Sequence, residues 1–388
     1  MDFELSGEQR ELRESIAEFA RAELNDDLAS REERSLFSAR NWVRCAELGL
    51  TGLPVPRVYG GSEADATSIV VALEALGYGC RDNGLIFSLN AHLWACTAPL
   101  ARFGSPEQRE RYLPPICAGS LITAHAMSEA ESGSDAFALR TVASKDGDGF
   151  RLDGSKTFVT NAPMAGLFLV FASTDRGRGF AGVSAFLVEG DAPGVHVGEP
   201  LAKMGLRTSP MAEVSFDGCP AELLGPAGAG MPIFTWAMER ERAFILAGPV
   251  GTMRRNLERC LVHARERRQF GQPIGAFQSV AHRLVDMRLR QESARLLLYR
   301  LAWLIDQGRP ARLESAMAKL HLAESMVASG LDAVQLHGGY GYLTEYGLER
   351  DLRDAVAGRL HSGTSEIMRD EIARLMGVGT QIGRHDDE

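Results

Sequence analysis

Phe150-Arg151-Leu152-Asp153-Gly154-Ser155-Lys156-Thr157-Phe158-Val159-Thr160 sets β-branched and aromatic residues on both sides of an Asp-Gly turn signal. Before it lies Asp146-Gly147-Asp148-Gly149, another turn signal. After it come Leu167-Phe168-Leu169-Val170-Phe171, Val183-Ser184-Ala185-Phe186-Leu187-Val188 and Glu213-Val214-Ser215-Phe216, each bounded by turn residues. Regularly spaced short strands predict a sandwich or barrel. No strand–helix alternation appears and no GxGxxG follows a strand, which disfavours a nucleotide-binding βαβ domain.

Both flanks read differently. Towards the N-terminus, Ser6 and Gln9 have capping-box spacing, and Leu12, Ile16, Phe19, Ala20 and Leu24 form one face of an amphipathic helix. Apolar segments at 66–78 and 84–102 predict further helix, and Tyr112-Leu113-Pro114-Pro115 predicts a stop. Beyond the linker-like Gly225-Pro226-Ala227-Gly228-Ala229-Gly230, helical periodicity dominates, with its longest stretches at 277–307 and 312–336. The expected fold class is α+β: an N-terminal helical domain at 1–119, a central antiparallel β-barrel or sandwich at 120–228 and a C-terminal helical bundle at 229–388.

Three parts also suit the length, since 388 residues exceed one ordinary core. Lys and Arg total 42 against 51 Asp and Glu, a net charge of −9. That balance argues against a nucleic-acid partner. The start, Met1-Asp2-Phe3-Glu4, lacks a basic n-region and an apolar h-region, and no run of about 18 apolar residues exists. Neither a signal peptide nor a membrane span is expected. Cys45, Cys80, Cys96, Cys117, Cys219 and Cys260 are scattered without a CxxC pair, as expected of reduced, buried thiols in a cytoplasmic protein that binds no metal.

Two local signals bear on chemistry. Ser132-Gly133-Ser134-Asp135 could offer backbone N–H groups to a phosphate or a flavin edge, or form a helix-capping turn. His337-Gly338-Gly339-Tyr340-Gly341 could admit a ligand close to the backbone, or cap a helix.

Taken together in order, longer stretches resemble the acyl-CoA dehydrogenase family over essentially the whole chain. They are Gly104-Ser105-Pro106-Glu107-Gln108, Met127-Ser128-Glu129-Ala130-Glu131-Ser132-Gly133-Ser134-Asp135, Gly154 to Asn161 and Lys203-Met204-Gly205-Leu206-Arg207. Later stand Glu266-Arg267-Arg268-Gln269-Phe270-Gly271 with Phe277-Gln278, then Gln335 to Gly339, Arg353-Asp354-Ala355 and Gly363-Thr364-Ser365-Glu366-Ile367. The resemblance implies a non-covalent FAD, a homotetramer built as a dimer of dimers, α,β-dehydrogenation of an acyl thioester, and electron transfer flavoprotein as acceptor. It further implies FAD contacts from His125, Met127, Ser128, Ser134, Phe158 and Thr160 around the ring system. Arg267, Gln269 and Phe270 would reach the neighbouring subunit's FAD, and Gln278, Gln335, Gly338, Gly339, Thr364 and Glu366 would complete the set. Phe158 stands where the family often has Trp. Ala130-Glu131 replaces a common Pro-Gly, which puts the local loop shape in question.

One departure decides the mechanism. Many family members carry the catalytic Glu directly before the last Gly-Thr, where this chain has Ser362. Serine has no useful basicity at neutral pH. The base has relocated, or the chain is inactive, or it runs other flavin chemistry as an oxidase or N-hydroxylase. Glu241-Arg242, ahead of an apolar run ending in Ala247, resembles the alternative base position of isovaleryl- and long-chain-type members. Glu241 is therefore the expected base, with Ser362 opposite, Arg242 as electrostatic neighbour, and Ser134 and Glu239 as further substrate contacts. Gly84 to Cys96 resembles members acting on carrier-bound acyl or aminoacyl groups, and Trp94 within it also reads as core. The thioester carrier, coenzyme A or a carrier protein, stays open at this level.

Overall fold

Strand β4 (Leu167–Ser173) is buried on both faces, and that double burial organises the protein. The computed structural model describes residues 4–379 apart from Asp148, and leaves the Ala243 side chain undescribed. Seven strands form the main sheet: β1 (Thr123–Ala126), β2 (Val142–Asp146), β3 (Gly149–Thr160), β4, β5 (Val183–Glu189), β6 (Val195–Val197) and β7 (Met211–Leu223). The order β4-β2-β3-β7-β5 closes because β5 pairs again with β4, giving a barrel. Alternate β4 side chains point to opposite faces. Phe168, Val170 and Ala172 join Phe186, Val214 and Phe216 inside, whereas Leu167, Leu169 and Phe171 pack outward with Tyr112, Leu113, Ile116 and Ile233.

The sheet corrects two expectations. It is not wholly antiparallel, since β4 runs parallel to both β1 and β2. Asp153-Gly154 is also no turn: β3 is one continuous strand with a register shift there, and Gly154 has φ +149°. A side chain at Gly154 would start 2.7 Å from the Thr141 Cα.

Among the described residues, seven α-helices precede the barrel: α1 (Gly7–Glu23), α2 (Leu28–Glu33), α3 (Ala39–Glu47), α4 (Ala66–Gly79), α5 (Asn83–His92), α6 (Ala98–Phe103) and α7 (Pro106–Cys117). The Ser6–Gln9 capping box forms as the spacing predicts. A π-helical turn, Leu93–Thr97, links α5 to α6. Pro114 and Pro115 do not stop α7, which continues to Cys117. They fall in its last turn, where Ala118 N–H still reaches the Pro114 carbonyl at 3.0 Å.

After the barrel come α8 (Gly230–Phe244), α9 (Ala247–Glu266), α10 (Gln278–Asp306), α11 (Arg312–His337), α12 (Gly339–Tyr342), α13 (Leu348–Ala357) and α14 (Ser365–Leu375). Both helical regions share one core, in which Leu73 and Leu89 pack with Phe244, Val250, Leu298 and Leu322. Gly77 allows α4 to touch α9, because a Cβ there would sit 1.8 Å from the Gly248 carbonyl oxygen. That shared core holds α8 between the barrel and the bundle. All six cysteines are buried free thiols, as the sequence predicts.

Candidate active site

Helix α8 carries Glu241 inward, leaving it 8% exposed. The turn after α13 approaches it from across the bundle. There the Ser362 hydroxyl donates to Glu241 Oε1. Both carbonyls of this turn are held by cations: Arg242 Nε donates to the Ser362 oxygen at 3.0 Å, and Lys319 Nζ of α11 donates to the Gly363 oxygen. Ser362 takes φ +56° and Gly363 φ +92°, so a residue with a Cβ is held in the left-handed region beside the buried carboxylate.

Glu241 Oε2 is buried without a hydrogen-bond partner among the described residues. Burial raises the Glu241 pKa, while the Ser362 hydrogen bond, Arg242 and Lys319 pull it back. The result is a carboxylate with one oxygen occupied and one free. Such a group can take a proton from a ligand that enters dry.

The structure thus brings Glu241, Arg242 and Ser362 together. It does not bring Glu239 to them: side chains two apart on a helix do not share a face, and the Glu239 carbonyl instead accepts from Ser315 Oγ at 2.8 Å. Ser134 is exposed in the loop joining β1 to β2. The Ser132–Asp135 turn caps no helix, as strand follows, and Ser132 Oγ donates to the Asp135 carbonyl at 2.7 Å.

A second group lies on the barrel. His125 on β1 stacks on Phe234 of α8 with centroids 6.2 Å apart, and meets Phe171 edge-on at 5.4 Å. Phe234 precedes Glu241 by two helical turns and shares its face, so this contact docks the barrel against the face bearing the carboxylate. His125 Nε2 is buried without a hydrogen-bond partner among the described residues, and burial lowers the ring pKa to about 4. Phe158 is 63% exposed with φ +56°, beside a second register shift in β3. Thr160, two residues on, is half-buried.

The backbone beneath is fixed by an ion pair that the sequence reading did not single out. Buried Lys156 Nζ contacts Glu129 Oε1 at 2.8 Å and the Met127 carbonyl at 3.0 Å. Glu129 also accepts from Arg140 N, Thr141 N and Thr141 Oγ1, and Ser128 accepts from Thr157 N. Both ionic residues lie within quoted motifs, but nothing local shows that they meet across 27 residues. The substituted Ala130-Glu131 sits in this ordered loop, with Glu131 reaching Arg140 at its surface.

A third group sits apart on an outer surface. Strands β8 (Arg268–Gln269) and β9 (Gln272–Pro273) form a hairpin with Phe270 at its tip, 92% exposed. Arg267 lies 5.8 Å from the Tyr340 ring centroid, joining the hairpin to the Gly338-Gly339 turn. Gln278 and Gln335 are exposed, and a Cβ at Gly338 or Gly339 would meet nothing within 4 Å. Thr364 caps α14 through Ile367 N at 3.2 Å, with Glu366 exposed in its first turn.

Comparison with known proteins gives these groups a context. Family descriptions of the acyl-CoA dehydrogenase N-terminal, middle and C-terminal domains match residues 6–120, 124–219 and 228–377. The L-prolyl-[peptidyl-carrier protein] dehydrogenase of Pseudomonas fluorescens is 42% identical over 96% of this chain and 99% of that protein. The prolyl acyl carrier protein oxidase AnaB superposes with a TM-score of 0.95 at 46% identity, covering 97% of this chain and all of the other. PigA, solved with FAD and proline, also gives 0.95, at 42% identity and the same coverage.

Proposed function

The chain belongs to the acyl-CoA dehydrogenase family, and from that premise we propose that Glu241 is its catalytic base and that it oxidises a prolyl group held as a thioester on a carrier protein. The family's members are FAD-dependent oxidoreductases that dehydrogenate acyl thioesters across a CH–CH bond. Neither an inactive chain nor an N-hydroxylase finds support among the relatives.

The residues fit the cofactor. Phe158 offers an exposed aromatic face at the barrel edge, His125 has a buried ring nitrogen without a partner among the described residues, and the backbone at Gly133 is open. These residues, with Met127, Ser128, Ser134 and Thr160, would hold the ring system. Arg267, Gln269 and Phe270 project from a surface and would reach FAD in a neighbouring subunit of a homotetramer, where a guanidinium suits the pyrophosphate. Gln278, Gln335, Gly338, Gly339, Thr364 and Glu366 would complete the contacts.

Bound there, FAD would supply the acceptor for the β-hydrogen, which leaves as hydride. The chain's own residues handle the α-proton. A thioester carbonyl acidifies that hydrogen only weakly, so the base needs a pKa raised by burial yet must be ionised before reaction. Burial supplies the first condition for Glu241, and Ser362, Arg242 and Lys319 supply the second. The single observation behind this reading is the buried, unpartnered Glu241 Oε2.

For the substrate, support comes from the relatives, among them a prolyl-carrier-protein dehydrogenase and a prolyl-carrier-protein oxidase. Electron transfer flavoprotein is the acceptor in this reading. The test is to add thioesters to the flavoprotein without oxygen. Prolyl carrier protein should bleach the flavin, and butyryl-CoA should bleach it much more slowly. The reverse order would refute the carrier assignment.

A further inference from the structure

His361 reaches the base through Ser362. Its Nδ1 lies 3.0 Å from Ser362 Oγ, and its ring packs against Phe87 of α5 with centroids 5.0 Å apart. A serine hydroxyl has one hydrogen. An ionised carboxylate can only accept, so that hydrogen goes to Glu241 Oε1. The histidine must then donate from Nδ1 to the serine oxygen. The chain of donors runs His361 Nδ1–H to Ser362 Oγ–H to Glu241.

We infer that His361 is a positioning residue that fixes the Ser362 hydroxyl towards Glu241, keeping the base ionised and its second oxygen free for the substrate. This rests on Glu241 being the base. The packing leaves the dyad little alternative. The Ser362 and Gly363 carbonyls are tied to Arg242 and Lys319, which aims the Ser362 side chain at α8. Without a partner on Oγ the hydroxyl could rotate away, but His361 occupies that side.

The surroundings keep His361 neutral. Its ring is half-buried, burial and the Lys319 charge of α11 lower its pKa to about 3, and Phe87 on α5 and Asp354 on α13 line the same small cavity of about 40 Å³. Glu241 faces Arg242 on its own helix and Lys319 on α11, while Arg312 and Glu371 act on Arg242 from behind. None of these groups except Ser362 donates a hydrogen bond to the carboxylate among the described residues.

The test is the pH dependence of flavin bleaching without oxygen, measured on flavin-loaded protein. A hydrogen bond to a charged group of ordinary strength corresponds to roughly one to two pH units. Ser362→Ala should move the acid limb up by about that amount. His361→Phe keeps an aromatic ring against Phe87 but removes the donor, and should move the limb the same way. The double variant should move it no further than Ser362→Ala alone. His361→Asn places an amide N–H near the lost Nδ1–H and should largely restore the parental limb. Flavin content checks that each variant is folded. If the limb stays put in Ser362→Ala, or if the two shifts add, the positioning role is wrong. Should Glu241→Gln bleach normally, the base assignment itself fails, which is a separate result.

Discussion

Glu241→Gln should slow substrate-dependent bleaching of the flavin by about 10²- to 10⁴-fold while the protein still binds FAD. The amide keeps the side chain's shape and can still accept from Ser362 through its oxygen. It cannot accept a proton at neutral pH. The same change should not lower the melting temperature. A carboxyl whose pKa is raised by folding adds most to stability when protonated, below its unfolded pKa. That contribution is lost as pH rises through the folded pKa. At neutral pH the parental Glu241 therefore costs stability, and Gln removes the cost. Unchanged stability with lost chemistry separates a catalytic role from a structural one. A variant that unfolds, or one that bleaches at the parental rate, contradicts the assignment.

Glu129→Ala should destabilise the protein by about 3–5 kcal/mol, because it leaves the Lys156 ammonium buried without its counter-charge. Burial already lowers the Lys156 pKa to about 8, with Glu129 opposing the shift. The Arg140 and Thr141 backbone amides lose their acceptor as well. The loop from Met127 to Thr141 should then loosen, and FAD binding should weaken with it. Lys156→Met should cost less, since Glu129 keeps three donors. Thermal melts and flavin titrations on the two variants check the order. If Lys156→Met proves the worse of the two, the ion pair does not organise the loop as described.

What was legible in the sequence was mostly local. The Ser6–Gln9 capping box and the long helices α10 and α11 follow from spacing over a few residues. Strand positions were legible too, because β-prone runs alternate with turn residues. Barrel closure was not, since the β3–β7 and β5–β7 pairings join residues far apart in the sequence. Asp153-Gly154 looked like a turn because an isolated Asp-Gly cannot be told from a bulge without the partner strand. Pro114-Pro115 looked like a stop because the rule concerns helix interiors, and these prolines sit in a last turn.

The site divides in the same way. Glu241 stands out in the sequence because a missing acid at 362 coincides with a present one at 241. Their contact spans 121 residues and shows only in the fold. That Glu239 takes a different face of α8 from Glu241 was not legible, because a charge run hides which face each member takes. His361 directly precedes Ser362, yet its hydrogen bond to the serine gains meaning only once Glu241 is seen on the other side.

The most direct measurement is a crystal structure of the flavin-loaded protein with a thioether analogue of prolyl-phosphopantetheine, which cannot be oxidised. Glu241 Oε2 should lie about 3–3.5 Å from the analogue's α-carbon, with Ser362 still on Oε1. A Glu241 side chain turned into bulk water, or a different basic group facing that carbon, would contradict the account.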